Sequence, residues 1–169
     1  MGFVLDLRRL GEGINRLSEV VSPDDLGLAW EGLAFAPGIQ LQIVAARAGD
    51  DLDITVRYEG ERQGECDRCL KPFREAYAGS LRAIARRSIP HHELAGQDGV
   101  LFHDGHHLDL STEVRESIII DIPIQRLCSP SCRGLCPSCG TDLNAGSCDC
   151  HVDRVDPRWE RLREARGSG

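Results

Sequence analysis

Between Cys128 and Cys150 the chain carries six of its eight cysteines: Cys128, Cys132, Cys136, Cys139, Cys148 and Cys150. A stretch so dense in thiols is organised either by disulfides or by a metal ion. Cys136-Pro-Ser-Cys139-Gly140 has the form of a metal knuckle. Two intervening residues let both thiolates face one ion, and the glycine permits the tight turn that follows. Cys148-Asp-Cys150 supplies a second thiolate pair after a short Asn/Gly/Ser loop. Four sulfurs then enclose one tetrahedral zinc and leave no position for water, which describes a structural site rather than a catalytic one. Met1 to Arg9 shows neither a basic leader nor a long apolar core, so the expectation is a reducing cytoplasm, where thiolates and metal are favoured over disulfides.

The remaining pair, Cys66-Asp-Arg-Cys69, admits three readings. It is half of a second zinc site, two packed free thiols, or a catalytic dithiol. A half-site needs two more ligands, and Cys128 with Cys132 are the spare pair. The dithiol reading is the weakest of the three, because the motif falls between two expected strands and not at a helix N-terminus, where the dipole would lower a thiol pKa.

The expected fold class is α+β, with an antiparallel, partly barrel-like sheet from about residue 3 to residue 87. One core helix follows near residues 111–121, then a zinc-binding C-terminal module. The chain divides into a core, residues 1–127, and a cysteine-rich module with a terminal helix, residues 128–169. Phe3 to Leu7 reads as a short first strand. Residues 11–39, rich in Gly, Ser, Pro and Asp, read as an irregular connection with one short strand near Leu28 to Leu33, pinned to the core by Trp30 and Phe35. Leu41, Ile43 and Ala45, then Leu52, Ile54, Val56 and Tyr58, alternate with polar neighbours across the Gly49-Asp50-Asp51 turn, the pattern of an antiparallel hairpin with one wet face. A further strand fits Ala76 to Ile84. Leu110, Val114 and Ile118 line one helical face capped by Asp109 or Ser111, and Pro123 stops that helix. The apolar run Ile118 to Ile124 is expected to be central to the core. Asp156-Pro157 starts a tail helix bearing Trp159 and Leu162.

Charge narrows the function. The formal net charge is −7 with thiols counted as neutral, so a general electrostatic grip on nucleic acid, which needs many phosphate-neutralising cations, is disfavoured. Residues 57–90 form the one basic region, and Arg62, Arg68, Lys71 and Arg74 are its candidate RNA or partner contacts. The plain alternative is a solvated sheet face of mixed charge. The His91-His92 and His103/His106/His107 groups read as exposed polar residues before they read as metal ligands.

Together, Glu65-Cys-Asp-Arg-Cys-Leu, the segment from Leu108 through Val114-Arg-Glu-Ser-Ile-Ile-Ile-Asp-Ile-Pro, the module Cys132-Arg-Gly-Leu-Cys-Pro-Ser-Cys-Gly-Thr-Asp-Leu-Asn and Asp156-Pro-Arg-Trp resemble the bacterial YceD proteins, the DUF177 family. The resemblance covers most of residues 40–162. It implies a non-enzymatic factor for 23S rRNA accumulation and large-subunit biogenesis, acting through the rRNA precursor or a ribosomal-protein partner, without membrane or small-molecule substrate. It places the knuckle on Cys136 and Cys139 and the second pair on Cys148 and Cys150, and it implies no catalytic residue. Family members that lack the C-terminal module imply that zinc there stabilises and does not act.

The alternative from a different class is a redox-switched zinc protein, chaperone-like or a thiol-based sensor, whose paired thiolates oxidise and release the metal. A hydrolase or nuclease is not expected: the chain has no nucleophile elbow, no phosphate-cradling glycine loop, and no convincing carboxylate pair.

Overall fold

A computed structural model describes residues 2–87 and 100–150. The order of elements is β1 (Val4–Asp6), β2 (Gly13–Val21), a one-turn helix α1 (Pro23–Leu26), β3 (Leu33–Phe35), β4 (Ile39–Ala48), β5 (Asp51–Glu65), β6 (Pro72–Arg87), β7 (Val100–His103), β8 (His107–Asp109) and α2 (Ser111–Ile120). The class is α+β, as the alternation implied. The main sheet is open and ordered β2-β4-β5-β6-β7, with β3 beside β5, and β1 pairs with β8 in a second sheet. The barrel-like expectation thus reduces to an open sheet with β2 and β7 at its margins. All pairings are antiparallel except β6 with β7.

The hairpin β4-β5 is built from strict alternation. Ile39, Leu41, Ile43, Ala45, Leu52, Ile54, Val56 and Tyr58 are all buried on one face, and their neighbours face outward. Helix α2 closes that face with Leu110, Val114 and Ile118, all fully buried. Removing a side chain of this size from water stabilises the fold by about 1.5–3 kcal/mol. Tyr58 adds a polar clamp: its hydroxyl donates to Asp121 at 2.5 Å and lies 2.8 Å from the Ser117 hydroxyl. Burial first, and the Asp121 carboxylate second, push this phenol up to about 12.

Facing Tyr58 across the sheet is Gly79, and facing Tyr77 is Gly60. The two rings lie over the opposite strand's glycines; a methyl group at Gly60 would sit 2.7 Å from the Tyr77 hydroxyl, and one at Gly79 would strike Tyr58 and Asp121. Aromatic cover of a cross-strand glycine fixes register as well as filling space.

Three expectations are corrected. Residues 11–39 are not mainly irregular, because β2 pairs with β4 from Gly13↔Arg47 to Val21↔Ile39. As a half-buried edge strand, β2 carries polar side chains on both faces (Asn15 and Glu19 on one, Arg16 and Ser18 on the other), which erases the period-two signal. Trp30 is 44% exposed and lies outside the core cluster, whereas Phe35 does pack on the core. Of the run Ile118 to Ile124, only Ile118 is fully buried, while Ile120 and Ile124 are exposed.

Helix α2 begins one residue from the expected caps. Leu110 occupies the capping position; Asp109 accepts from the Ser111 N–H at 2.8 Å, and the Ser111 hydroxyl accepts from the Phe3 N–H at 2.7 Å, tying the first strand to the helix. No helix among the described residues is long and apolar enough to cross a membrane. The expected tail helix with Trp159 and Leu162, and His91 and His92, lie outside the described residues.

Candidate metal centres

Strand β5 ends at Glu65 and β6 starts at Pro72, so Cys66 to Lys71 is the connection between the two longest strands. It forms a closed turn: the Cys66 N–H donates to the Lys71 carbonyl at 2.9 Å, and the Leu70 N–H donates back to the Cys66 carbonyl at 2.8 Å. Cys136 to Thr141 repeats the pattern, with Cys136 N–H to Thr141 O at 2.8 Å and Gly140 N–H to Cys136 O at 2.9 Å. The two knuckles are therefore the same backbone device, used twice.

The residue after the second cysteine must take a positive φ in both turns, 57° at Leu70 and 73° at Gly140. Glycine does this freely, but an L-residue with a side chain is disfavoured there by about 1–2 kcal/mol. Leu70→Gly is expected to raise stability by about 0.5–1 kcal/mol, the relieved strain less the greater freedom of glycine in the unfolded chain. A urea midpoint that fell would show that the leucine side chain contributes more than its backbone costs.

The knuckles assemble two tetrads: Cys66, Cys69, Cys128 and Cys132, and Cys136, Cys139, Cys148 and Cys150. In each, the four sulfurs lie within 4.8 Å of one another. Cys66 Sγ is 3.8 Å from Cys132 Sγ, and Cys69 Sγ is 3.6 Å from Cys128 Sγ. A tetrahedron with Zn–S bonds of about 2.3 Å has edges of about 3.8 Å, whereas a disulfide would bring sulfurs to about 2.05 Å. The spacing and the all-thiolate donor set fit one soft tetrahedral ion in each tetrad.

Charge within the tetrads argues the same way. At Cys66 burial opposes ionisation, but the N–H groups of Cys128, Cys69 and Arg68 outweigh it and hold the thiol down at about 6. The Thr141 hydroxyl, 3.0 Å from Cys139 Sγ, is the main cause of a fall to about 6 there. Contact with Cys69, then burial, pushes Cys128 up to about 12; contact with Cys139, then burial, does the same to Cys150. Each tetrad mixes thiols held down with thiols pushed up, Cys66 against Cys69 and Cys128 in the first and Cys136 and Cys139 against Cys148 and Cys150 in the second, because crowded negative sulfurs repel. A bound cation removes that conflict and deprotonates its ligands.

The surroundings of the two tetrads differ. Cys66, Cys69 and Cys132 form a small buried cluster with Phe73, Leu127 and Leu135 against it. In the other tetrad only Cys136 is buried, and Cys139 and Cys150 are exposed. The first tetrad also draws two cysteines from either side of residue 127, so it joins the sheet to the cysteine-rich stretch. Polar contacts reinforce that junction. Arg126 and Asp67 exchange backbone and side-chain bonds at 2.7–3.0 Å, and the Leu135 N–H donates to the Arg68 carbonyl at 3.0 Å. The Asn144 amide reaches Cys132 Sγ at 3.5 Å, which links the second loop to the first centre.

The four basic candidates meet different fates. Arg62 is only 5% exposed, pairs with Glu75 at 2.7 Å and lies over the Tyr77 ring, so it is an internal cation and not a surface contact. Its place on the inward face of β5 was hidden by a one-residue glycine interruption at Gly60. Arg68 donates to the Cys132 carbonyl at 2.9 Å, and Lys71 pairs with Asp142 at 2.5 Å, so both brace the metal region. Arg74 is exposed and makes no ion pair among the described residues. His103 is buried, held by the Asp50 carbonyl at 2.8 Å and the Gly105 N–H at 3.0 Å. Sequence reading missed Thr141, Asp142 and Asn144; the polar loop directly after a knuckle was the available signal.

A family model described as "Large ribosomal RNA subunit accumulation protein YceD" matches residues 54–164. An uncharacterized protein of Mycobacterium tuberculosis is 27% identical over 168 residues, covering 96% of this chain and 81% of its own length. The Arabidopsis thaliana "Large ribosomal RNA subunit accumulation protein YCED homolog 1, chloroplastic" is 32% identical over 59 residues, 35% of this chain and 18% of that protein. Its Zea mays namesake is 41% identical over 49 residues, 28% of this chain and 17% of that protein. No solved structure matches the chain.

Proposed function

The chain belongs to the YceD family, and on that premise we propose that it is a non-enzymatic cytoplasmic factor for 23S rRNA accumulation in large-subunit biogenesis. The observation that carries this reading is the family match over residues 54–164, which spans both cysteine tetrads and α2. In this reading zinc in each tetrad is structural: Cys66, Cys69, Cys128 and Cys132 clamp the sheet to the C-terminal stretch, and Cys136, Cys139, Cys148 and Cys150 fold a loop that has little apolar core of its own.

Of the four candidates Arg62 is buried against Glu75, Arg68 and Lys71 are exposed but engaged by the Cys132 carbonyl and Asp142, and Arg74 makes no ion pair among the described residues. A net charge of −7 favours a route to rRNA through a basic protein partner, which an acidic surface attracts. The test is depletion of the protein in its own cells, followed by measurement of 23S against 16S rRNA. The 23S share is expected to fall and to recover on re-expression; an unchanged ratio overturns the reading.

One observation favours a second reading, a redox-responsive zinc protein. The exposed thiols Cys139 and Cys150 are open to hydrogen peroxide, whose reduction to two waters would convert two thiolates and two protons to one disulfide and free the ion. Zinc release at low peroxide doses together with altered partner binding would support it; release without a change in binding would reduce it to damage.

A further inference from the structure

Helix α2 buries Val114 and Ile118 but leaves Ile120 80% exposed, and Ile124 just beyond the helix is fully exposed. Single exposed apolar residues are ordinary; two large isoleucines at and just past the end of one core helix, the first of them lining a groove, are not. That groove, about 560 Å³, runs between α2 and β6. Leu81, Ala83 and Leu101 contribute its apolar part, and Glu113, Glu116 and Ile120 line the helix side.

The strand side is also unfinished. β6 is paired with β5 from Pro72 to Ala85, but on its other edge β7 covers only Ile84 to Arg87. Among the described residues, no strand pairs with that outer edge from Pro72 to Ala83. Such an edge presents main-chain donors and acceptors ready for an added strand.

Charge selects the occupant. Arg82, the cation in the groove, is neutralised by Asp53 through contacts at 2.9 and 2.5 Å. Glu113 has no ion pair among the described residues, and Glu116 has only Arg115 at 4.0 Å. Within the groove the free charge is negative, and the unpaired Arg74 of β6 lies outside its lining; the groove therefore repels nucleic-acid phosphates and a second copy of this acidic chain, and attracts a cationic segment.

We propose that this groove docks an extended, Lys/Arg-rich segment of a partner protein, which adds its backbone to the free edge of β6 and sets its cations against Glu113 and Glu116, with apolar contact at Ile120. The inference deepens the partner-mediated reading above and rests on it. The two fail separately, because depletion tests the function in cells and the binding experiment tests the groove alone.

The probe is a fluorescent twelve-residue peptide of alternating Lys and Val, titrated into the full-length, metal-loaded chain, with hydrogen exchange to locate it. Binding is expected to weaken with salt and to slow exchange at residues 73–83. Glu113→Gln/Glu116→Gln is expected to lower affinity by about tenfold, a typical loss for two facing charges, with metal content and melting unchanged. Ile120→Ser is expected to weaken binding without altering its salt dependence. Three results would overturn the proposal: binding indifferent to these variants, protection mapped elsewhere, or tighter binding of a single-stranded RNA that competes with the peptide. So would residues 73–83 already exchanging as slowly as β5 in the free chain, since the edge would then be covered by the chain itself.

Discussion

Cys66→Ser/Cys69→Ser is expected to lower the bound metal from two ions per chain to one and to cost several kcal/mol of stability. The size follows from what the first tetrad connects. Cys69 and Cys128 are 59 positions apart in sequence, so an ion shared by them would close a long loop. By the chain-entropy relation used for cross-links, closing such a loop constrains the unfolded chain by about 4 kcal/mol, and apparent zinc affinities in small modules exceed that. The double variant also buries two hydroxyls where Cys66 and Cys69 were enclosed, against Phe73, Leu127 and Leu135. The Arg126–Asp67 bonds and the Leu135-to-Arg68 bond then stand without the ion between them. Elemental analysis with urea unfolding checks both parts. Two ions retained, or an unchanged unfolding midpoint, would show that these four cysteines do not form a centre.

Much of this architecture could be read from residues alone, and the gaps have identifiable causes. The β4-β5 hairpin was legible because one of its faces is fully dry, so Ile39 to Tyr58 keep the period of two without exception. α2 was legible from Leu110, Val114 and Ile118, all of which are buried. β2 was not, because an edge strand with a half-wet inner face tolerates Asn15 and Glu19 where a central strand would not. The apolar run after Ile118 misled for the opposite reason. Hydrophobicity reports that a side chain is driven from water, but not whether the covering surface belongs to the same chain, and Ile120 and Ile124 are left bare.

The ligand sets show the same division. Spacing alone pointed to Cys136, Cys139, Cys148 and Cys150, because all four come from one short stretch and the geometry is local. Pairing Cys66 and Cys69 with Cys128 and Cys132 required the tertiary fold to bring two distant segments together, and counting could offer that only as one of three readings. In the basic region sign is not position: Arg68, Lys71 and Arg74 are exposed, but Arg62 is buried. Arg62 turns inward to Glu75, and Arg68 and Lys71 are held by the Cys132 carbonyl and Asp142. Arg68 and Lys71 thus brace the loops that carry the tetrads.

Cys139→Ser is expected to have the opposite profile: one ion lost, the sheet intact, and residues 134–150 loosened. The second tetrad closes its longest internal gap, Cys139 to Cys148, over about ten residues, a constraint of about 3 kcal/mol, and it ties that loop only to itself. Contacts that leave the loop, among them Lys71 to Asp142 at 2.5 Å and Asn144 to Cys132 at 3.5 Å, join it to the surroundings of the first tetrad. An ion held there would also be the more accessible, since Cys139 and Cys150 are exposed while Cys66, Cys69 and Cys132 are buried. A chelator should therefore remove metal from the wild-type chain in two phases, the fast one absent from Cys139→Ser. Hydrogen exchange should show faster amides in residues 134–150 and unchanged protection along β4 and β5. Loss of both ions from this variant, or a single release phase in the wild type, would mean that the two tetrads form one cooperative unit, and the sheet would then depend on the exposed centre as well as on the buried one.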